Sequence, residues 1–70
     1  MATKLKPVYE PMIKLKLKRV EKGLTQGELA KMVGVSQNAL SMCELGIHFP
    51  KKKTLDKLAE VLDCKIADLI

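Results

Sequence analysis

Few side chains in this sequence are thiols or imidazoles, the groups that most often serve as zinc ligands and as nucleophile–base pairs. The candidates are two cysteines, Cys43 and Cys64, and one histidine, His48. A zinc site takes four ligands at short paired spacings, and these three residues do not provide them. No metal or other cofactor is therefore expected. A single histidine with no nucleophile beside it is poor material for general catalysis, so no enzymatic activity is expected either. Both cysteines read as reduced, partly buried small apolar side chains, which suits a reducing cytoplasm.

Another kind of chemistry is better represented. Residues 26–45 read Q-G-E-L-A-K-M-V-G-V-S-Q-N-A-L-S-M-C-E-L. Wound at about 100° per residue, the second half places Ser36, Leu40, Cys43 and Ile47 on one arc. Asn38, Ser41 and Met42 fall on the opposite side, with Gln37 exposed at the first turn. A merely solvated helix face would carry Lys and Glu. Gln37, Asn38 and Ser41 can instead hydrogen-bond the edges of bases, and Met42 or Ala39 can meet a thymine methyl. Uncharged faces also mark protein contacts. A protein-interaction module such as an antitoxin or co-regulator is thus the alternative, with Leu45, Ile47, Phe49 and Ile70 as its patch.

Charge favours a polyanionic partner. The chain carries +5 overall; residues 1–22 are net +5, Lys51, Lys52 and Lys53 add +3, and the remainder sums to −3. Two basic blocks on a near-neutral body suit phosphate contacts, with Lys51–Lys53 supplying charge from a loop. One Tyr, one Phe and no Trp leave little to stack on unpaired bases, so the expected form is double-stranded DNA.

The elements that must position these residues are helical. No Asn-Gly or Asp-Gly hairpin turn occurs. Residues 1–11, with Pro7 and Pro11, read as an extended basic arm, and residues 12–70 as one small domain. Ile13, Leu17, Val20 and Leu24 predict the buried face of a first helix that stops at Gly23. Thr25 and Glu28 form a T-x-x-E capping box for a second helix, buried through Leu29, Ala30 and Val33. Gly34 supplies the turn, and Ser36 caps a third helix that ends near Leu45. Leu55, Leu58, Ala59 and Leu62 predict a fourth helix with Thr54 near its start, and Ile66, Leu69 and Ile70 a short fifth. Glu44 lies beside the buried arc of the third helix and needs a partner; Arg19, the only arginine, suits a bidentate pair.

Taken together, Arg19, G-L-T-Q (23–26), E-L-A (28–30), V-G-V-S (33–36), E-x-G (44–46), Pro50 and T-L-x-x-L-A (54–59) make the sequence resemble the phage-repressor (λ repressor/Cro-like) helix-turn-helix family over about residues 12–70. The resemblance implies an all-α, compact five-helix domain that binds operator DNA as a two-fold dimer. It implies that Gln26 holds a phosphate at a helix N-terminus, that Gln37, Asn38 and Ser41 face bases, and that Arg19 and Glu44 pair beside a phosphate contact.

Three departures stand out: Gly27 in place of a polar helix former, Asp63 where a glycine is common, and Lys65 where a capping serine is common. The loop after Gly46 is also apolar, with Ile47 and Phe49, so Lys51–Lys53 are expected to compensate. The reading is a sequence-specific transcriptional regulator, a repressor of bacterial or phage origin, cytoplasmic and nucleoid-associated. A weak homodimer completed on DNA is expected, touching near Ile66–Ile70 with Leu45 and Ile47. A membrane-surface helix at I-K-L-K-L-K-R is set aside because its apolar residues are claimed for the core.

Overall fold

The computed structural model describes residues 8–70. Four α-helices follow one another: α1 (Ile13–Glu21), α2 (Gln26–Val33), α3 (Gln37–Leu45) and α4 (Lys52–Val61); a 3-10 turn, Ile66–Asp68, closes the chain. The described residues contain no strand. The expected fifth helix is this single turn. Its bonds run from Asp68 N–H to Lys65 O and from Leu69 N–H to Ile66 O. Lys65 N–H also donates to Asp68 Oδ2 at 3.0 Å, which holds the backbone in the tight i to i+3 form.

The caps act where the sequence places them. Thr25 Oγ1 accepts from Glu28 N–H at 3.1 Å, and Glu28 Oε1 accepts from Thr25 N–H at 2.9 Å, so two end donors of α2 are satisfied reciprocally. Ser36 Oγ accepts from Ala39 N–H at 3.0 Å and starts α3. Between the two helices lie only Gly34, Val35 and Ser36. Gly34 takes φ 81°, a left-handed conformation that would strain a side chain with a Cβ.

One core fills the space between the helices: Leu15 from α1, Leu29, Ala30 and Val33 from α2, Leu40 and Cys43 from α3, Leu55, Leu58 and Ala59 from α4, with Met12, Leu62 and Leu69 at the ends. Ala30 is small and fully buried, as close packing against a neighbouring helix requires. Val35 is half-buried at the corner of the turn.

The first helix does not bury the face its apolar periodicity suggests. Ile13, Leu17 and Val20 are 60%, 57% and 57% exposed, while Met12, Leu15 and Arg19 are buried. Both stripes recur at helical spacing. The buried one contains a charged residue, and a count of apolar residues alone passes it over. Arg19 turns inward to meet Glu44, and that pairing fixes the rotation of α1.

The start of α4 also differs. The helix begins at Lys52, with Lys51 as N-cap, so Lys52 and Lys53 sit in its first turn and not in a loop. Pro50, buried, precedes the cap and has no N–H for a helix to use. Lys52 Nζ pairs with Asp56 Oδ2 at 3.3 Å across one turn, an exposed contact.

Of the expected N-terminal arm, residues 1–7 lie outside the described residues. Val8 and Tyr9 N–H groups both donate to Gly46 O, at 3.0 and 2.9 Å, and Met12 N–H donates to Glu44 O at 3.1 Å. Gly46 is buried at φ 85°, and a Cβ there would stand 2.5 Å from Tyr9 O. Glycine is thus required at position 46 twice over, by backbone angle and by close approach.

Candidate nucleic-acid interface

The outer side of α3 carries no charged residue along Gln37–Met42. Gln37 and Asn38 are exposed, and Ala39, Ser41 and Met42 are half-buried. Gln37, Asn38 and Ser41 border one open polar notch of about 380 Å³, with Gln26 of α2 on its far wall. Met42 does not share it. Together with Ala39 it lines a separate hollow, bounded by His48, Phe49, Lys51 and Thr54. The four residues read as base-facing therefore divide into a polar group near the α3 N-terminus and an apolar one nearer the loop.

Behind the notch the helices are locked by a polar network. Arg19 Nε donates to Glu44 Oε2 at 2.7 Å, Nη2 to Glu44 Oε1 at 3.3 Å, and Nη1 to Leu24 O at 2.9 Å. Gln26 Nε2 donates to the same Glu44 Oε1 at 2.9 Å. The Arg19 and Glu44 side chains are 11% and 4% exposed. A carboxylate this buried needs several donors, and here three bonds converge on it. Among the described residues no buried side-chain nitrogen or oxygen is left unpartnered. The network ties α1, α2 and α3 into one frame and anchors the Gln26 side chain beside the notch. Much of the Arg19 guanidinium is already engaged within the protein.

The lysine triplet spreads around the α4 N-terminus. Lys51 borders the Met42 hollow, and Lys53 borders a shallow depression with Gly34 and Lys57 beside the turn between α2 and α3. All three lysines are exposed. The first turn of α4 holds no acidic residue, so these cations add to the positive end of the helix dipole.

Burial pushes the Cys43 thiol above its ordinary range, and the neighbouring Glu44 carboxylate adds to the effect. Both cysteines are free, Cys43 buried and Cys64 half-buried. Among the described residues no three His, Cys, Asp or Glu side chains gather as a metal site would require. No helix there is long and apolar enough to cross a membrane.

Two residues have neighbours in the fold that their sequence context did not indicate. His48 is an exposed neighbour of Met42 and Lys51, and its only signal was its place in the loop before Pro50. Gly27 stands out in the sequence only as a departure from a polar helix former, but the side chain it makes room for, Gln37, lies on another helix.

A helix-turn-helix family model matches residues 15–69. The chain belongs to the helix-turn-helix family. Among helix-turn-helix proteins it is similar to the cryptic phage CTXphi transcriptional repressor RstR of Vibrio cholerae, 40% identical over 52 residues, covering 74% of this chain and 47% of that one. It is also similar to the ImmF control region 10 kDa protein of Bacillus phage phi105, 43% identical over 49 residues, covering 70% of this chain and 54% of the other. The chain thus spans about half the length of these two relatives. The resemblance to phage repressors read from the sequence is matched by the first of these relatives, a phage repressor. Among solved structures, the master regulator for biofilm formation SinR in complex with DNA superposes with a TM-score of 0.74 at 35% identity, covering 80% of this chain and 90% of that one.

Proposed function

We propose that this helix-turn-helix protein is a transcriptional regulator, a repressor, that binds a specific double-stranded operator by laying α3 in the major groove. The observation that carries the reading is the uncharged outer face of α3 in a chain with 30% charged residues. That face sits on the open side of a frame locked by Arg19, Glu44 and Gln26. In this reading Gln37, Asn38 and Ser41 meet base edges, and Met42 meets a thymine methyl. Gln26, Lys51, Lys52 and Lys53 take phosphates. Arg19, its donors largely committed to Glu44 and Leu24, contributes the field of its charge beside Gln26. The activity is binding, with no catalytic step, and its place is the nucleoid.

Dimerisation belongs to the same proposal. Leu45 and Ile70 are exposed, whereas Leu69 is buried and Ile47 and Ile66 are half-buried. The contact between copies therefore centres on Ile70 and Leu45, with Phe49 and Tyr9 beside them; the two rings lie 5.7 Å apart. A weak pair completed on DNA would read half-sites about 34–36 Å apart, one helical turn.

Selection of bound sites from random duplex DNA, followed by a salt titration on the winning site, tests the reading. A palindromic site, with affinity falling steeply as salt rises, is expected. Enrichment of no sequence, or a salt slope near zero, contradicts it.

A further inference from the structure

We infer that Gly27, on α2, sets the position from which Gln37, on α3, reads its base, and so determines part of the specificity. The inference rests on the reading of Gln37 given above. It begins with a residue that local structure does not require. Glycine is the poorest helix former after proline. Gly27 is the second residue of α2 and, unlike Gly23, Gly34 and Gly46, does not take a positive φ. Nothing in its own backbone calls for it. A position that gives up helix propensity without a local reason is where a function is to be sought.

The reason lies across the helix pair. A Cβ on Gly27 would stand 3.2 Å from Gln37 Oε1 and 3.7 Å from Gln37 Cδ, with Thr25 Oγ1 at 4.0 Å. The first distance is tighter than ordinary van der Waals contact. The Gln37 amide therefore rests over the first turn of α2, in space that alanine would occupy. The oxygen is the near end, and the positive end of the α2 dipole favours it there.

Gln37 also borders the open notch with Gln26, Asn38 and Ser41. A methyl at position 27 moves the amide a few tenths of an ångström away from α2, toward the space where a base edge enters. Bidentate pairing with adenine needs both ends of the amide aligned with N6 and N7, so a displacement of this kind weakens it. The residue acts through Gln37 and is a positioning residue, with no contact of its own to the base.

The test compares the parent with Gly27→Ala, Gln37→Ala and the double variant. Each is titrated against the parent's selected duplex and against duplexes changed at single base pairs, with salt slopes and melting temperatures measured alongside. Gly27→Ala should melt several degrees higher, since alanine favours the helix. It should still lose at least about threefold of the discrimination at the base pair that Gln37→Ala affects, part of the roughly 5- to 150-fold that a full bidentate pair provides. The salt slope should not change, and in the Gln37→Ala background Gly27→Ala should change base preference no further. Full retention of discrimination by Gly27→Ala, an equal loss at every base pair, or a further loss in the double variant overturns the inference while leaving the operator reading intact. A parent that prefers no duplex overturns both.

Discussion

Arg19 on α1 and Glu44 on α3 form a two-bond ion pair, Nε to Oε2 at 2.7 Å and Nη2 to Oε1 at 3.3 Å, beside a core of apolar side chains. Removing either partner leaves the other charged and largely buried. Arg19→Ala or Glu44→Ala should therefore cost about 3–5 kcal/mol, a large share of what a domain this small can hold. Arg19→Lys should not restore it, because an ammonium cannot reproduce the fork that also reaches Leu24 O. Urea denaturation of the two single variants and the double variant checks this. Purely additive losses would show that the two side chains do not depend on each other.

The rotation of α1 gives a sharper contrast. Leu15 is completely buried, and Leu17, two residues on, is 57% exposed. Leu15→Ala should cost about 2–5 kcal/mol, and Leu17→Ala within about 0.5 kcal/mol. Thermal melts of the two variants decide it: similar losses at both positions would contradict this rotation of α1, and a larger loss at Leu17 would place the helix the other way round.

That contrast also marks what the sequence made legible. The second and third helices could be read closely because their signals are local and agree. Thr25 with Glu28, Gly34, and Ser36 are each fixed by the backbone group they satisfy or the φ they must take. The rotation of α1 is set by a partner 25 residues away, so Ile13, Leu17 and Val20 offered an equally periodic but incorrect face. The Arg19–Glu44 pair was legible from residue types, yet its consequence for α1 was not. The lysine triplet reads as loop because Thr54 stands near the expected helix start, whereas the helix begins at Lys52 and Lys51 takes the cap with no side-chain bond. The role of Gly27 depends on where the Gln37 side chain rests, and no spacing rule encodes that.

Cys43 links stability to alkaline pH. Burial first, and Glu44 second, raise its folded-state value above the ordinary 9.0. The unfolded thiol thus ionises before the folded one, and the folded state holds more protons as pH rises past that value. The contribution is fully present below 9.0 and is lost as pH climbs from there through the raised folded value. Cys64 shifts in the same direction, with burial again the first cause. The urea midpoint of the parent should fall between about pH 8 and about pH 10, and fall less in Cys43→Ala. Equal falls in the two proteins would remove Cys43 from the account.

The claim that α3 reads bases while the lysines grip phosphates is tested most directly by one comparison: base preference and salt slope for Gln37→Ala and Lys52→Ala, measured on the selected operator. Gln37 is exposed at the head of α3, where a Gln–adenine pair is worth about 1–3 kcal/mol of discrimination. Gln37→Ala should relax preference at one base pair in each half-site and keep the salt slope. Lys52 is exposed, and among the described residues its only side-chain bond is to Asp56. Lys52→Ala should weaken all duplexes alike and lower the slope by about one. A Gln37→Ala protein that keeps the full base preference of the parent would contradict the assignment of α3 as the reading helix.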